Sequence, residues 1–238
     1  MSKGRGTTNP GRKPGVPGEP REPRAHARGQ SARGQSARGQ SGVRTARVKR
    51  VTKETSVNLT LTLDGSGRTK IKTPIPFFSH MVDAFCRFAN LDVELTASGD
   101  LEIDQHHTVE DVALALGQAI AQAMGDRAGV RRSASAFVPM DDALGFCAVD
   151  LSGRPFCAFD ATFDKNRQGD LELDLVGEFF RSLANASRAN WHLRVEYGEN
   201  EHHKVEALFK SAGRALGEAV ALDPARAGIV PSTKGVLE

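Results

Sequence analysis

A short motif that occurs twice constrains the fold of this chain more than any other feature of its sequence. His-His-x-Val-Glu stands at residues 106–110 and returns 96 residues later at residues 202–206. Seven residues after each glutamate comes a glycine, Gly117 or Gly213, and each motif follows an alternating segment and opens an amphipathic one. Upstream, His80 precedes Met81 much as Glu178 precedes Phe179. The simplest explanation is a duplicated β/α half of about 90 residues, with both halves sharing one core.

Hydrophobic periodicity places strands and helices around this repeat. The segments predicted as strands are 57–63, 91–97, 136–139, 145–151, 156–162 and 191–197. Apolar stripes at helical spacing predict helices over 109–124, 175–183 and 205–220, and Thr108 is placed to cap the first of them. Together these elements predict an α+β fold with helices packed on β-sheet.

The first 50 residues differ in composition from the rest of the chain. They contain 13 Lys and Arg against two acidic residues, together with nine glycines, five prolines and a five-residue repeat over 27–40. Such a segment buries too little apolar surface to offset the entropy of ordering, so residues 1–49 are predicted to be a disordered basic tail. A passive extension is favoured over a nucleic-acid-binding arm, because the tail lacks aromatic side chains on which bases could stack.

The remaining residues are acidic, with 19 Lys and Arg against 27 Asp and Glu. We expect them to form the two halves of a catalytic domain, over 50–135 and 136–238. No apolar run reaches the roughly 20 residues that span a bilayer, which excludes an integral membrane protein. The three cysteines show neither a zinc spacing nor an even count, which favours a reducing, cytoplasmic compartment.

The repeated histidines predict metal binding. On a helix, the first His and the Glu of each motif are four residues apart and share a face. The two adjacent histidines diverge by roughly 100°, so they are expected to address two different metal ions. Imidazole and carboxylate ligands together suit Mn, Fe, Zn or Ni. Solvated histidines at two helix N-termini are the alternative, but two copies of the motif in register favour the metal.

From about Arg50 to Leu237 the chain resembles the imidazoleglycerol-phosphate dehydratase family, manganese enzymes of histidine biosynthesis. The resemblance rests on PFFSHMVDAF (76–85), GDLEIDQHHTVEDVALALGQA (99–119), PMDDAL (139–144), VDLSGRP (149–155), EFFRSL (178–183), ENEHHKVEALFKSAGRAL (199–216) and PSTKGVL (231–237). It implies duplicated halves of the ribosomal protein S5 domain 2-like type. It also implies dehydration of D-erythro-imidazole glycerol phosphate to imidazole acetol phosphate, with two Mn²⁺ ions binding the imidazole as imidazolate. The family assembles as homo-oligomers of 24 subunits.

The resemblance carries over to individual residues. The implied metal ligands are His80, His106, His107, Glu110, Glu178, His202, His203 and Glu206. The implied substrate contacts are Glu54, His80, His106, His107, Arg132, Arg154, His202, Lys210, Ser232, Thr233 and Lys234. Catalytic roles are implied for Glu54, His107 and Glu206, with Glu54 supplied across a subunit boundary. The cations and hydroxyls of the second set suit a phosphate dianion.

Four positions depart from the family pattern. Glu178 replaces a frequent His, Gln105 and Ser79 each replace an Asp beside a ligand, and Phe88 replaces a His outside the ligand set. The loss of Asp at 105 is expected to weaken a hydrogen bond that orients His106 or His107. Asp141 is a further polar candidate for the site. A different di-metal hydrolase remains the competing hypothesis for the function, and a protein that binds nucleic acid through its tail is the weaker one.

Overall fold

The computed structural model describes residues 42–235 and residue 237, which form two four-stranded sheets with four helices packed between them. The first half contains β1 (Thr45–Val51), β2 (Thr55–Thr62), β3 (Thr69–Lys72), α1 (Pro76–Phe88), β4 (Asp92–Gly99) and α2 (His106–Met124). The second half contains β5 (Ser133–Met140), β6 (Ala143–Asp150), β7 (Phe156–Asp160), β8 (Arg167–Gln168), β9 (Leu171–Glu172), α3 (Asp174–Ser187), β10 (Asn190–Tyr197) and α4 (Glu201–Val220).

The two halves have the same sheet topology. The strand orders are β1-β2-β4-β3 and β5-β6-β10-β7, and in each sheet the last-named edge strand is parallel to its neighbour. The predicted α+β class and the internal duplication are therefore confirmed. The short β8–β9 hairpin lies outside both sheets and has no counterpart in the first half.

Alternating burial explains why the predicted strands form. In β2, Val57, Leu59 and Leu61 are buried and face the helices, while the residues between them face outward. β1 pairs with β2 antiparallel, so that Val48 lies opposite Leu59 and faces the same core. β1 begins at Thr45, five residues before the boundary that composition predicted at residue 50.

The helices cross between the halves. α1 of the first half packs against α4 of the second, and α3 of the second half packs against α2 of the first. Gly213 and Gly117 lie at these two contacts. A Cβ atom on Gly213 would lie 2.2 Å from the carbonyl oxygen of Phe85, and one on Gly117 would lie 2.8 Å from that of Leu183. The repeated glycine therefore permits close approach of each helix pair.

Some sequence predictions need correction. Thr108 does not cap α2: the helix begins at His106, and the Thr108 hydroxyl is buried inside it without a hydrogen-bond partner among the described residues. The strand predicted over 136–139 is longer, because β5 starts at Ser133. Most of the predicted basic tail lies outside the described residues. Among the residues that the structure does describe, no helix is long and apolar enough to cross a membrane.

Candidate metal centre

His80 of α1 meets His202 and Glu206 of α4 where these two helices begin. Glu206 Oε2 lies 2.9 Å from His202 Nε2 and 3.4 Å from His80 Nε2. The three residues offer ligand atoms that all lie within 4.8 Å of one another, and theirs is the one such group in the described part of the chain. A site formed by both halves thus follows directly from the packing of α1 on α4.

Local sequence fixes the start of α4 and therefore the direction of its ligands. The Asn200 side chain accepts hydrogen bonds from the backbone N–H groups of His202 and His203, at 2.9 and 3.4 Å. The Phe77 ring packs edge-on against His202, with ring centres 5.0 Å apart. Capping and packing together restrict the rotation of the His202 side chain.

Lys210 controls the charge of the buried Glu206. Its ammonium lies 2.6 Å from Glu206 Oε1, so both carboxylate oxygens are engaged. Burial opposes ionisation of Glu206, but Lys210, with smaller contributions from His202 and His80, holds the pKa of its carboxyl below the ordinary value. Glu206 is therefore an anion at neutral pH, as a metal ligand must be.

The equivalent residues of the other helix pair are arranged more loosely. His106 Nε2 lies 4.0 Å from Glu110 Oε2 in α2. Glu178, at the α3 position that corresponds to His80, is 3.1 Å from the Arg181 guanidinium and accepts a hydrogen bond from Ser182 at 3.2 Å. The first copy of the motif is thus present in the same fold position, but its three candidate ligands do not converge as the second set does.

His107 and His203 lie apart from these sets and each contacts an aspartate. His107 Nδ1 is 3.2 Å from both carboxylate oxygens of Asp100, and His203 Nδ1 is 2.5 Å from Asp142 Oδ1. Because a carboxylate only accepts, Nδ1 carries the proton in both residues and Nε2 is left as a potential ligand atom. This arrangement matches the predicted divergence of neighbouring histidines.

Each of these His–Asp contacts favours the charged form of one of its members. The hydrogen bond to Asp100 raises the pKa of His107 above its ordinary value, against the opposing effect of burial, and Glu54 contributes to the increase. The hydrogen bond from His203 holds the pKa of Asp142 well below its usual range. Glu54 Oε2 lies 3.8 Å from His107 Nδ1, in the turn between β1 and β2 of the same chain.

The sequence did not single out Asp100 or Asp142 as partners of His107 and His203. Asp100 looked like part of a turn after a strand, and Asp142 was overlooked beside Asp141, whose Oδ2 lies 3.4 Å from His203 Nε2. An available signal was their type and place: each is an acidic residue in a loop at the same sheet edge as a His pair.

The predicted phosphate contacts fall into separate places within one chain. Arg132 makes two hydrogen bonds to Asp150, at 2.7 and 3.0 Å, and a third at 2.8 Å to the carbonyl oxygen of Pro231. Arg132 thereby joins Pro231 to Asp150, the last residue of β6. The backbone carbonyl of Arg154 accepts from Asn190 at 2.6 Å. Lys210 lies instead at the His80–His202–Glu206 set, where its ammonium contacts Glu206.

The residues that depart from the family pattern make identifiable contacts in the structure. The carboxylate that contacts the His107 ring is that of Asp100. Gln105 contacts the β8–β9 hairpin. Ser79 accepts from the Thr73 backbone N–H at 2.9 Å and closes the loop before α1. The Phe88 ring lies 5.2 Å from the Lys210 ammonium.

The His80–His202–Glu206 set fits a divalent transition metal. Its donors are two imidazole nitrogens and an ionised carboxylate oxygen, which is chemistry that Mn, Fe, Zn or Ni accept and that Ca does not favour. The separations of 2.9 and 3.4 Å suit atoms bound at about 2.1 Å to one ion.

Fold and site together define an internally duplicated α+β protein with a candidate His₂Glu metal site between its halves. Comparison with known proteins shows which family within this class the chain resembles. The family model of imidazoleglycerol-phosphate dehydratase matches residues 73–216. Similar curated proteins of that name come from Roseiflexus sp. (54% identical, 82% of this chain and 98% of the relative) and Symbiobacterium thermophilum (51%, 82% and 93%).

Solved structures agree with the sequence relatives. The crystal structure of imidazoleglycerol-phosphate dehydratase from Staphylococcus aureus subsp. aureus N315 is 31% identical, with a TM-score of 0.68 over 75% of this chain and 99% of that one. The Pyrococcus furiosus enzyme in complex with (S)-C348 is 36% identical, with a TM-score of 0.69 over 80% and 100%. The chain belongs to the imidazoleglycerol-phosphate dehydratase family. It is accordingly a hydro-lyase, an enzyme that removes water from its substrate.

Proposed function

We propose that this protein dehydrates D-erythro-imidazole glycerol phosphate to imidazole acetol phosphate in histidine biosynthesis, using two Mn²⁺ ions. The observation that carries the proposal is the convergence of His80, His202 and Glu206 from both halves on one point. His106, Glu110 and Glu178 occupy the equivalent places in the other helix pair and would hold the second ion. Two bound cations would favour the anionic form of the substrate imidazole, from which a hydroxyl is expelled more readily.

The chain's own residues prepare this site. Lys210 keeps Glu206 ionised, and Asp100 and Asp142 contact Nδ1 of His107 and His203, which leaves Nε2 of each ring as the potential ligand atom. Because neither Nε2 belongs to the His80–His202–Glu206 set, we propose that His107 and His203 complete sites on neighbouring copies. A homo-oligomer, with 24 subunits as the family resemblance implies, supplies those copies.

Glu54 is the proposed acid/base group for the carbon-bound proton. It is half exposed and lies beside His107, so a substrate held by that histidine would be within its reach. Arg132, Arg154, Ser232, Thr233 and Lys234 would bind the phosphate. A biosynthetic enzyme of this kind would work in the cytoplasm.

Metal content and dehydration measured on one sample test the proposal. The double variant His107→Ala/His203→Ala should lose both bound manganese and activity, and His80→Ala/His202→Ala should do the same. His192→Ala is the control, because His192 lies on the outer face of β10 against Phe156. Retained dehydration in either double variant would overturn the two-metal site. Glu54→Gln should keep its metal and lose about 10²–10⁴-fold in kcat.

A further inference from the structure

One segment of the second half breaks the duplication. In the first half, β3 and α1 are joined by residues 73–75, whereas in the second half β7 and α3 are joined by residues 161–173, which include the β8–β9 hairpin. We call residues 161–173 the strap. It lies at the end of the molecule where the ligand-bearing helices begin, because its contacts are made with the first residues of those helices.

The strap is held by the residue that precedes each His pair. Gln105 donates from Nε2 to the carbonyl oxygen of Asp170 at 2.5 Å and accepts at Oε1 from the Glu172 backbone N–H at 3.1 Å. Glu201 is the equivalent residue in the second motif, and its Oε1 accepts from the Asp164 backbone N–H at 2.7 Å. Two residues at duplicated positions therefore hold the two ends of the inserted segment.

A third contact reaches α1. Asp170 Oδ1 accepts a hydrogen bond from the Phe77 backbone N–H at 2.9 Å, one of the donors that a helix leaves unpaired in its first turn. Phe77 in turn packs on His202 and lies 6.4 Å from the His80 ring. Beyond Glu172 the strap leads straight into α3, which carries Glu178. The strap thus touches or continues into all four helix starts that carry the candidate ligands.

The contact made by Gln105 depends on both its length and its amide. An ionised Asp, the residue expected at this position from the family pattern, only accepts hydrogen bonds and cannot donate to the Asp170 carbonyl. It is also one methylene shorter. The amide of Gln105 satisfies one backbone donor and one backbone acceptor of the hairpin at once, much as a neighbouring strand would.

We propose that Gln105 is a positioning residue for metal binding: through the strap it fixes the starts of α1 and α2 relative to each other and so sets the geometry of their histidines. This inference rests on the proposed metal-binding function. Leu171 and Leu173 anchor the strap in the hydrophobic core, and the hydrogen bonds to Gln105, Glu201 and Phe77 tie it to the starts of the ligand-bearing helices.

Hydrogen exchange and Mn²⁺ titration of the full-length protein test this role. Gln105→Ala should speed exchange of the Glu172 amide at least 10-fold and weaken Mn²⁺ binding about 10-fold, the lower end of the loss expected when a group supporting a ligand is removed. Gln105→Asn should behave like Gln105→Ala, because it keeps the amide but loses the reach. Gln122→Ala, an exposed position on the same helix, is the control and should change neither quantity.

Two results would contradict the positioning role of Gln105. Faster exchange with unchanged Mn²⁺ affinity would reduce Gln105 to a purely structural contact, and weaker affinity with unchanged exchange would show that it does not act through the strap. Either result overturns the proposal. Asp170→Ala removes the contact between the strap and the Phe77 backbone N–H while leaving the bonds to Gln105 in place, and it should also weaken Mn²⁺ binding if the strap positions the helix starts. A wild-type protein that protects Glu172 but binds no Mn²⁺ would instead refute the metal-binding function itself.

Discussion

The two halves share one topology, yet they differ in charge around their histidine pairs. In the second half, Glu201 and Lys204 form an ion pair at 2.9 Å with both side chains almost fully buried. The equivalent residues of the first half are the neutral Gln105 and Thr108. The two halves thus share the backbone topology and the His-His-x-Val-Glu motif, while the residues around the motif differ. The charged pair stands where the inserted strap presses on α4, since Lys204 also lies 3.3 Å from the carbonyl oxygen of Thr162.

The largest effect is expected when Lys204, the cation of the buried pair in the second half, is removed. Lys204→Met should lower the free energy of unfolding by about 3–5 kcal/mol, because it leaves the Glu201 carboxylate buried without its partner. Urea denaturation measures the change. Lys53→Met, in an exposed turn, serves as the control and should stay within about 0.5 kcal/mol of wild type. A loss below about 1 kcal/mol for Lys204→Met would mean that the ion pair contributes no more than a surface pair.

The second test concerns the helix contacts. Gly213→Ala should cost about 3 kcal/mol, because its methyl group would meet the Phe85 carbonyl at 2.2 Å. Gly117→Ala should cost less, about 1–2 kcal/mol, because its closest contacts are at 2.7–2.8 Å. Unfolding of the two variants under one set of conditions gives the order. Equal losses would show that α2–α3 and α1–α4 are packed alike.

A third test uses pH. Asp92 at the start of β4 accepts from the backbone N–H groups of Ser66 and Arg68, and its contact with the Arg68 guanidinium holds the pKa of its carboxyl well below the usual range. A depressed pKa stabilises the folded state above the unfolded-state pKa of about 3.9 and loses that effect as pH falls further. Asp92→Asn should therefore cost about 1 kcal/mol at pH 7 and progressively less below about pH 4.

The second half provides the control for that pH dependence. Asn190 occupies the equivalent position at the start of β10 and donates to the Arg154 carbonyl. Asn190→Ala should weaken the fold by the same amount at pH 7 and pH 3, since an amide does not titrate there. An Asp92→Asn loss that stays constant with pH would show that its carboxylate charge has no role in holding the 66–68 loop.

The smallest expected effect is at Thr108. Its hydroxyl is buried in α2 without a hydrogen-bond partner among the described residues, so Thr108→Val should stabilise the protein or change its unfolding free energy by less than about 0.5 kcal/mol. Thermal unfolding measures this. A loss of more than about 1 kcal/mol would show that the hydroxyl makes a bond that matters, and would bring Thr108 closer in importance to Lys204.

The sequence predicted what depends on local pattern. Alternation in β2 and the apolar stripe of α2 identified these elements because burial of one face repeats along the chain. The sequence did not predict that α1 would pack on α4, because that contact joins residues more than a hundred positions apart. The repeated glycines do lie at the helix contacts, but the sequence alone did not reveal which helices they join. Large sequence separation also explains why Asp142 was not predicted as the partner of His203. For the same reason, the contact of Gln105 with the β8–β9 hairpin could not be predicted.

The crossing of helices between the halves has a consequence for how such a chain could arise and be divided. Neither half alone holds His80 together with Glu206. A single copy of the half could therefore form this ligand set only in a two-fold dimer, in which the helix equivalent to α1 packs on the partner's helix equivalent to α4. Within one chain the two copies need not be identical, and Glu178 stands in the place of His80. Cutting the chain between residues 132 and 133 should accordingly yield two fragments that bind metal together and not separately.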